Sequence, residues 1–279
     1  MGADEGTAGR GRTPTTAGWS GRRLPRSAVP GTVLFAIAAP CGLLAAVAGV
    51  VESDWVLIIG GCVIALLFGS LLGLLVVASS RGSGAAPTLA QAPGGTSGVR
   101  FGYSTVAYCW FTAVLVMCVV VGLIVAVGTG TSGSVSGWLV AVVFAGMAVL
   151  LAWYVVAMLR LAPGELVLSP AGIAHRGLTS FYSVPWSAVQ AVEASRLGTS
   201  VIVVQADPSP ESVVRRYTGR FDTGELRFLP FLVVRTYWLA ADREAVLSAL
   251  AFYHAHPELR HELATPEAVR RIAEGRTGP

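Results

Sequence analysis

Hydrophobic and polar positions divide the chain near residue 160. Before that point four apolar runs, 31–51, 55–78, 105–128 and 138–159, contain no Asp, Glu, Lys, Arg or His. Each reaches the ~20 residues that a helix needs to cross about 30 Å of hydrocarbon. A helix in lipid satisfies its own backbone hydrogen bonds. The runs therefore predict a membrane all-α bundle of four transmembrane helices. Residues 1–30, rich in Gly, Thr and Arg, read as a disordered basic arm. The first apolar run is longer than the 7–15 residues of a signal-peptide core, so it reads as a retained span.

Beyond residue 160 the continuous runs give way to short β-branched segments separated by turns. Candidate strands cover 165–169, 173–176, 181–184, 189–194, 201–206, 213–217 and 228–234. Their spacing, roughly 8–12 residues, predicts a small barrel or sandwich. Asp242 then stands as an N-cap, with Glu244 in the first turn and Val246, Leu250 and Tyr253 at i, i+4 and i+7, which predicts an amphipathic helix. Pro257 interrupts it, and Thr265-Pro266-Glu267 marks a further helix start. The expected organisation is an arm (1–30), a four-helix membrane domain (31–160), a soluble α+β domain (161–257) and a helical basic tail (258–279). The loop 79–104, rich in Gly, Ala, Pro and Ser, reads as a flexible connector.

Composition supports the membrane assignment: 53% of residues are hydrophobic and only 13% charged, against about 25% charged in soluble domains. All 20 basic residues are arginine. Their placement predicts orientation. The arm holds Arg10, Arg12, Arg22, Arg23 and Arg26, and the second loop holds Arg81 and Arg100, whereas the first loop has only Glu52, Ser53 and Asp54 and the third has no charge. The N-terminus, second loop and C-terminal domain are therefore expected on the cytoplasmic side of the cell membrane, with Trp55 and Trp138 at the outer interface. From Arg160 onward 13 arginines face 12 acids. That balance lacks the basic stripe of a nucleic-acid binder. Cys41, Cys62, Cys109 and Cys118 lie inside apolar runs, none in a CxxC pair, so no disulfide framework is expected.

Small residues recur every four positions in the second span, at Gly61, Ala65, Gly69 and Gly73. Such a stripe lets backbones approach closely. It reads either as a homo-oligomer face or as packing among the spans of one chain. Pro40 predicts a kink in the first span. The absence of ionisable groups from the spans argues against pumps, ion-coupled transporters and voltage sensors, which need such groups at depth.

Two short motifs carry a family resemblance. The segment Gly164-Glu165-Leu166-Val167-Leu168-Ser169-Pro170-Ala171-Gly172-Ile173, followed by Val184-Pro185-Trp186-Ser187-Ala188-Val189, resembles bacterial pleckstrin-homology-like (PH-like) domains. The ending His256-Pro257-Glu258-Leu259-Arg260-His261-Glu262-Leu263 is similar to the tail of actinobacterial multi-pass members with a C-terminal PH domain. The resemblance spans about residues 161–263. It implies a small β-barrel or sandwich capped by one C-terminal helix, and a fold more than an activity. Trp186 would then plug one end of the barrel, or offer a stacking surface. Phosphoinositide binding in such domains uses basic residues of the first hairpin loop, where this chain offers His175 and Arg176.

Candidate chemistry is sparse. Arg176, Arg215, Arg216 and Arg220 could meet anionic lipid or a partner, each arginine near an anionic leaflet contributing about 1 kcal/mol. They could equally be solvated loop residues. His254, His256 and His261 have no cysteine or carboxylate pair to complete a zinc site. There is no P-loop, no Gly-x-Ser-x-Gly and no dinucleotide fingerprint, so no cofactor is expected. The expected function is non-catalytic: an anchored PH-like module binding the lipid bilayer surface or another membrane or cytoplasmic protein, with homo-oligomers an open option. The alternative is an accessory subunit of a membrane transport or channel complex.

Overall fold

A computed structural model describes residues 29–79, 84–91, 95–197, 199–218 and 228–278. Residues 1–28 of the expected arm and Arg220 lie outside the described residues, while Val29 and Pro30 open the first helix. Four apolar helices come first: α1 (Val29–Glu52), α2 (Trp55–Ser79), α3 (Thr105–Gly130) and α4 (Val135–Leu161). They are 24 to 27 residues long, which at 1.5 Å per residue is about 36–40 Å, enough to cross a membrane. α1 continues through Pro40 as one helix. Short polar caps start the others. Asp54 accepts from the N–H of Val56 at 2.9 Å, and Ser104 and Ser134 accept from Ala107 and Gly137.

α1 packs on α2, α2 on α3 and α3 on α4, while among the described residues α1 and α4 share no more than marginal contact. The array is an open row. Lipid supplies no hydrophobic force to close it, so close approach depends on where small residues fall.

The remainder is an α+β domain of two antiparallel sheets. β1 (Thr88–Gln91), β2 (Ser97–Gly102), β3 (Glu165–Ser169), β4 (Gly172–Arg176), β5 (Ser180–Pro185) and β8 (Val213–Arg216) form a six-stranded sheet in the order β1-β2-β3-β4-β5-β8. β6 (Val189–Leu197), β7 (Thr199–Ala206) and β9 (Leu232–Arg235) form the second sheet. Helix α5 (Arg243–Ala255), a 3₁₀ helix (Pro257–Ala264) and α6 (Pro266–Ala273) complete the chain.

Three expectations change here. The loop 79–104 is not a flexible connector throughout: it holds β1 and β2, and β2 pairs with β3 across the two helices that separate them in sequence. Val99, Phe101 and Tyr103 alternate toward the core and are at most 4% exposed, so the segment has the period-2 burial of a strand. The α+β domain thus begins before α3 as well as after α4. The tail is not an appendage either, because Leu263, Ala268 and Ile272 join the main core. The strand expected at 228–234 starts only at Leu232. Residues Phe228–Phe231 form a turn closed by the N–H of Phe231 on Phe228 O (2.8 Å), and Pro230 has no N–H for a ladder.

The core fills the space between the two sheets. Leu166, Leu168, Ile173, Tyr182 and Val184 face Ile202, Val204, Leu232 and Val234, with Val246, Leu250 and Tyr253 of α5 closing one side. Asp242 holds the N-cap position of α5 as expected, although its carboxylate caps no backbone N–H. Trp186 is buried, donates from Nε1 to Ser169 O at 2.8 Å, and lies under the Arg260 guanidinium at 4.8 Å. That guanidinium also donates to the carbonyls of Tyr253 and His254 near the end of α5.

Candidate functional site

The domain is joined to the helical array through a packed seam. β2 runs directly into α3, and β3 leaves α4 after only Ala162, Pro163 and Gly164. Because β2 and the C-terminal strands share one sheet, the α2–α3 connection and the C-terminal domain lie at the same end of the array. Ser104 N–H donates to Trp238 O (2.6 Å) and Ala240 N–H to Gly102 O (3.0 Å). The Tyr103 ring stacks on Trp238 at 6.0 Å, and Phe111 of α3 meets Trp238 edge-on at 5.3 Å. Tyr108 of α3 donates to Met158 O of α4 at 3.0 Å. Beneath the seam Tyr103 Oη and His175 Nε2 share a hydrogen bond of 2.6 Å. Burial holds the His175 imidazole down at about 4, so it is neutral at pH 7.

His175 is therefore a core residue, not a member of a basic loop. The turn between β3 and β4 is Pro170-Ala171 and carries no charge. The first-hairpin route to phosphate recognition that the family resemblance implied has no basic residue at this turn.

Strand register places two of the candidate arginines, Arg176 and Arg215, on one face of the sheet. Gly102 pairs with Glu165, Glu165 with Arg176, Arg176 with Phe181, and Phe181 with Arg215. Directly opposed residues share a face, so this row lies on the outer side of the six-stranded sheet, at the end joined to the helices. Arg176 and Arg215 stand two strands apart, about 10 Å by strand spacing. Arg216 occupies the next rung, opposite Ser180. Arg215 and Arg216 are exposed. Arg176 is partly engaged, at 3.6 Å from Glu165, which also receives Arg100 at 2.6 Å. The Arg100–Glu165–Arg176 triad was not expected. Its one signal is the alternation Val99-Arg100-Phe101, which places an arginine on the outer face of a strand.

The small-residue positions meet different neighbours. A Cβ on Gly42 would lie 2.6 Å from Ala65 N, and one on Gly61 would lie 2.6 Å from Gly42 O, so Gly61 and Ala65 face α1. Gly73 lies under the Trp110 ring of α3, 2.7 Å from its Cδ2, while nothing approaches Gly69 within 4 Å.

Two other features are weaker candidates. An open depression of about 230 Å³ on the second sheet is lined by Val203, Val233, Phe228 and Phe231, with Glu193 and Gln205 beside them. The histidines are tied locally, His256 Nδ1 to Phe252 O (2.9 Å) and His261 Nδ1 to Glu258 O (2.7 Å). Among the described residues no three His, Cys, Asp or Glu side chains converge as metal ligands. No protein-family model, curated protein or solved structure matches the chain.

Proposed function

We propose that this chain is a non-catalytic multi-pass protein of the cell membrane, holding a PH-like domain against the cytoplasmic face to engage a protein partner or the anionic lipid surface. The observation that carries the reading is the shared sheet. β2 enters from the α2–α3 connection and β3 from the end of α4, so the domain is fixed to the membrane end of the helices at two points. A domain held this way presents a constant surface to the membrane plane and to whatever docks there. The arginine asymmetry of the loops supports the cytoplasmic orientation. The PH-like reading rests on the motifs around Ser169-Pro170 and Pro185-Trp186 and on two packed sheets followed by α5.

Reporter fusions at Pro279 test the orientation, and crosslinking followed by affinity capture of the full chain from native membranes tests the module. Cytoplasmic reporter activity and one recurrent crosslinked species, protein or lipid, are expected. A reporter active only outside the cell refutes the reading. The open helical row favours a second reading, an accessory subunit of a transport or channel complex, because α1 and α4 each keep a side free for another helix. Crosslinks from those two helices to a polytopic protein would select it.

A further inference from the structure

The charges of the α+β domain are sorted along its strands. At the end joined to the helices lie Arg176, Arg215 and Arg216 of the six-stranded sheet and Arg235 on the last rung of β9. Arg243 opens α5 and reaches Ser200 Oγ, at the start of β7, at 3.4 Å. Arg160, exposed, stands in the last turn of α4. The carboxylates at this end, among the described residues, are Glu165, held between Arg100 and Arg176, and Asp242 and Glu244 at the start of α5. At the opposite end the chain after β7 carries exposed Asp207 and Glu211, and exposed Glu258 follows α5. Arg260, near that end, is committed to the Trp186 ring and to the last carbonyls of α5. The positive end of the domain is thus the end that meets the helices.

The outermost part of that end is the close of β8. β8 is the edge strand, three strands from β3 and so about 14 Å from the connection to α4. Arg215, Arg216 and the following Tyr217 are all exposed, Tyr217 by 45%. The two arginines alternate to opposite faces of the strand, so they converge on no single ligand and instead spread charge on both sides of one strand end. The Tyr217 N–H donates to Thr179 O at 3.0 Å, which fixes the tyrosine beside the β4–β5 turn. A ring with a polar tip beside two guanidinium groups is the composition that settles between hydrocarbon and water. The level also fits. Helices of 24 to 27 residues, about 36–40 Å, outreach the ~30 Å of hydrocarbon, so their ends lie among the headgroups. β3 begins after only Ala162, Pro163 and Gly164, and the row from Glu165 to Arg215 is level with its start.

We propose that the end of β8, Arg215, Arg216 and Tyr217, is a foot that rests in the headgroup layer of the leaflet beneath the domain. The partner is the anionic lipid surface itself, held by summed charge and an interfacial ring rather than by a pocket. Arg160 and Arg176 extend the same positive field from the foot toward α4. The two chain connections sit on the neighbouring strands β2 and β3, and the foot adds a contact at the far edge of the same sheet, which keeps that edge from tilting away from the membrane. The acids Asp207, Glu211 and Glu258 are repelled by the same surface, so both ends of the domain favour one orientation. The inference rests on the cytoplasmic reading above and names the part of the domain that meets the lipid.

The test uses the full chain reconstituted in vesicles of phosphatidylcholine with phosphatidylglycerol, carrying the photocrosslinker p-benzoylphenylalanine in place of Tyr217 or, at the far end, of Glu211. Both positions are exposed, so the replacements leave the core intact. Irradiation and mass spectrometry should find lipid adducts at position 217, richer in phosphatidylglycerol than the vesicle, and none above background at position 211. R215A/R216A with the probe at 217 should keep the wild-type Tm in detergent and lose about half or more of that enrichment. Raised salt should lower the enrichment of the unaltered chain in the same way, because screening acts on exposed charge. Equal lipid adducts at 217 and 211, adducts at 217 confined to protein, or an enrichment indifferent to both the arginines and salt overturns the proposal. With cytoplasmic reporters such a result removes the foot alone, whereas external reporters remove the parent reading too.

Discussion

Deleting the β1–β2 segment should unfold the α+β domain even though that segment lies two helices away in sequence. β2 contributes Val99 (0% exposed) and Phe101 (1%), and Tyr103 (4%) follows it. Burying a valine or phenylalanine side chain stabilises by about 1.5–3 kcal/mol, and truncating a buried phenylalanine costs about 3–5 kcal/mol because a cavity remains. With Tyr103, its hydrogen bond to His175 and its stack on Trp238, the loss is on the order of 6–10 kcal/mol. A domain this size has a total stability of about 5–15 kcal/mol. Residues 161–279 alone should therefore lack cooperative unfolding in urea and show collapsed amide dispersion by NMR. The same fragment preceded by residues 84–103 through a flexible linker should recover a sigmoidal transition. If the bare fragment unfolds cooperatively with the same midpoint as the linked one, the pairing of β2 with β3 is not part of the core and the argument fails.

Other outcomes follow from single residues. Burial lowers the His175 pKa from its ordinary 6.5 to about 4, so the unfolded chain takes up a proton first as pH falls. Stability should be full above pH ~6.5 and decline toward pH ~4, by about 3 kcal/mol in all, and H175F should flatten that slope in urea titrations at pH 4.5 and 7.5. A stability rising toward pH 4 would contradict the assignment. Gly42→Leu should destabilise the α1–α2 pair by about 1–3 kcal/mol or more, since its side chain would meet the Ala65 backbone, whereas Gly69→Leu should leave the Tm of the detergent-solubilised protein unchanged. A large effect at Gly69 would instead show that another helix or copy covers it. Arg260→Ala should cost about 1.5–3 kcal/mol by removing charge-assisted bonds to the Tyr253 and His254 carbonyls, and Arg260→Lys should not rescue it, because an ammonium cannot fork between two carbonyls over an indole.

The four long helices were legible because twenty uninterrupted apolar residues have few alternatives to spanning lipid. The segments β3, β4 and β5 were legible too, because Gly172 and Pro185 punctuate β-branched and aromatic runs. β1 and β2 were not, although Val99, Phe101 and Tyr103 alternate along the chain. Their neighbours are glycine, proline and serine, and a six-residue strand has little meaning until its partner is known. That partner, β3, starts at Glu165, beyond α3 and α4, whereas β2 ends at Gly102. Arg176, Arg215 and Arg216 could be named as basic residues, but that Arg176 and Arg215 share a face depends on register, and register is set by how the strands fill the core.

What the amino-acid order determined by itself was local: the solvent each stretch prefers, the period of its buried face, and its turns and caps. Those depend on residues within a few positions of one another, so they can be read along the chain. What the tertiary structure alone decided was which distant segments share a sheet, the order in which the helices pack, and which charged residues share a face. Those depend on packing between segments far apart in the chain, where the gain from burying one face selects the partner and no short-range pattern records the choice.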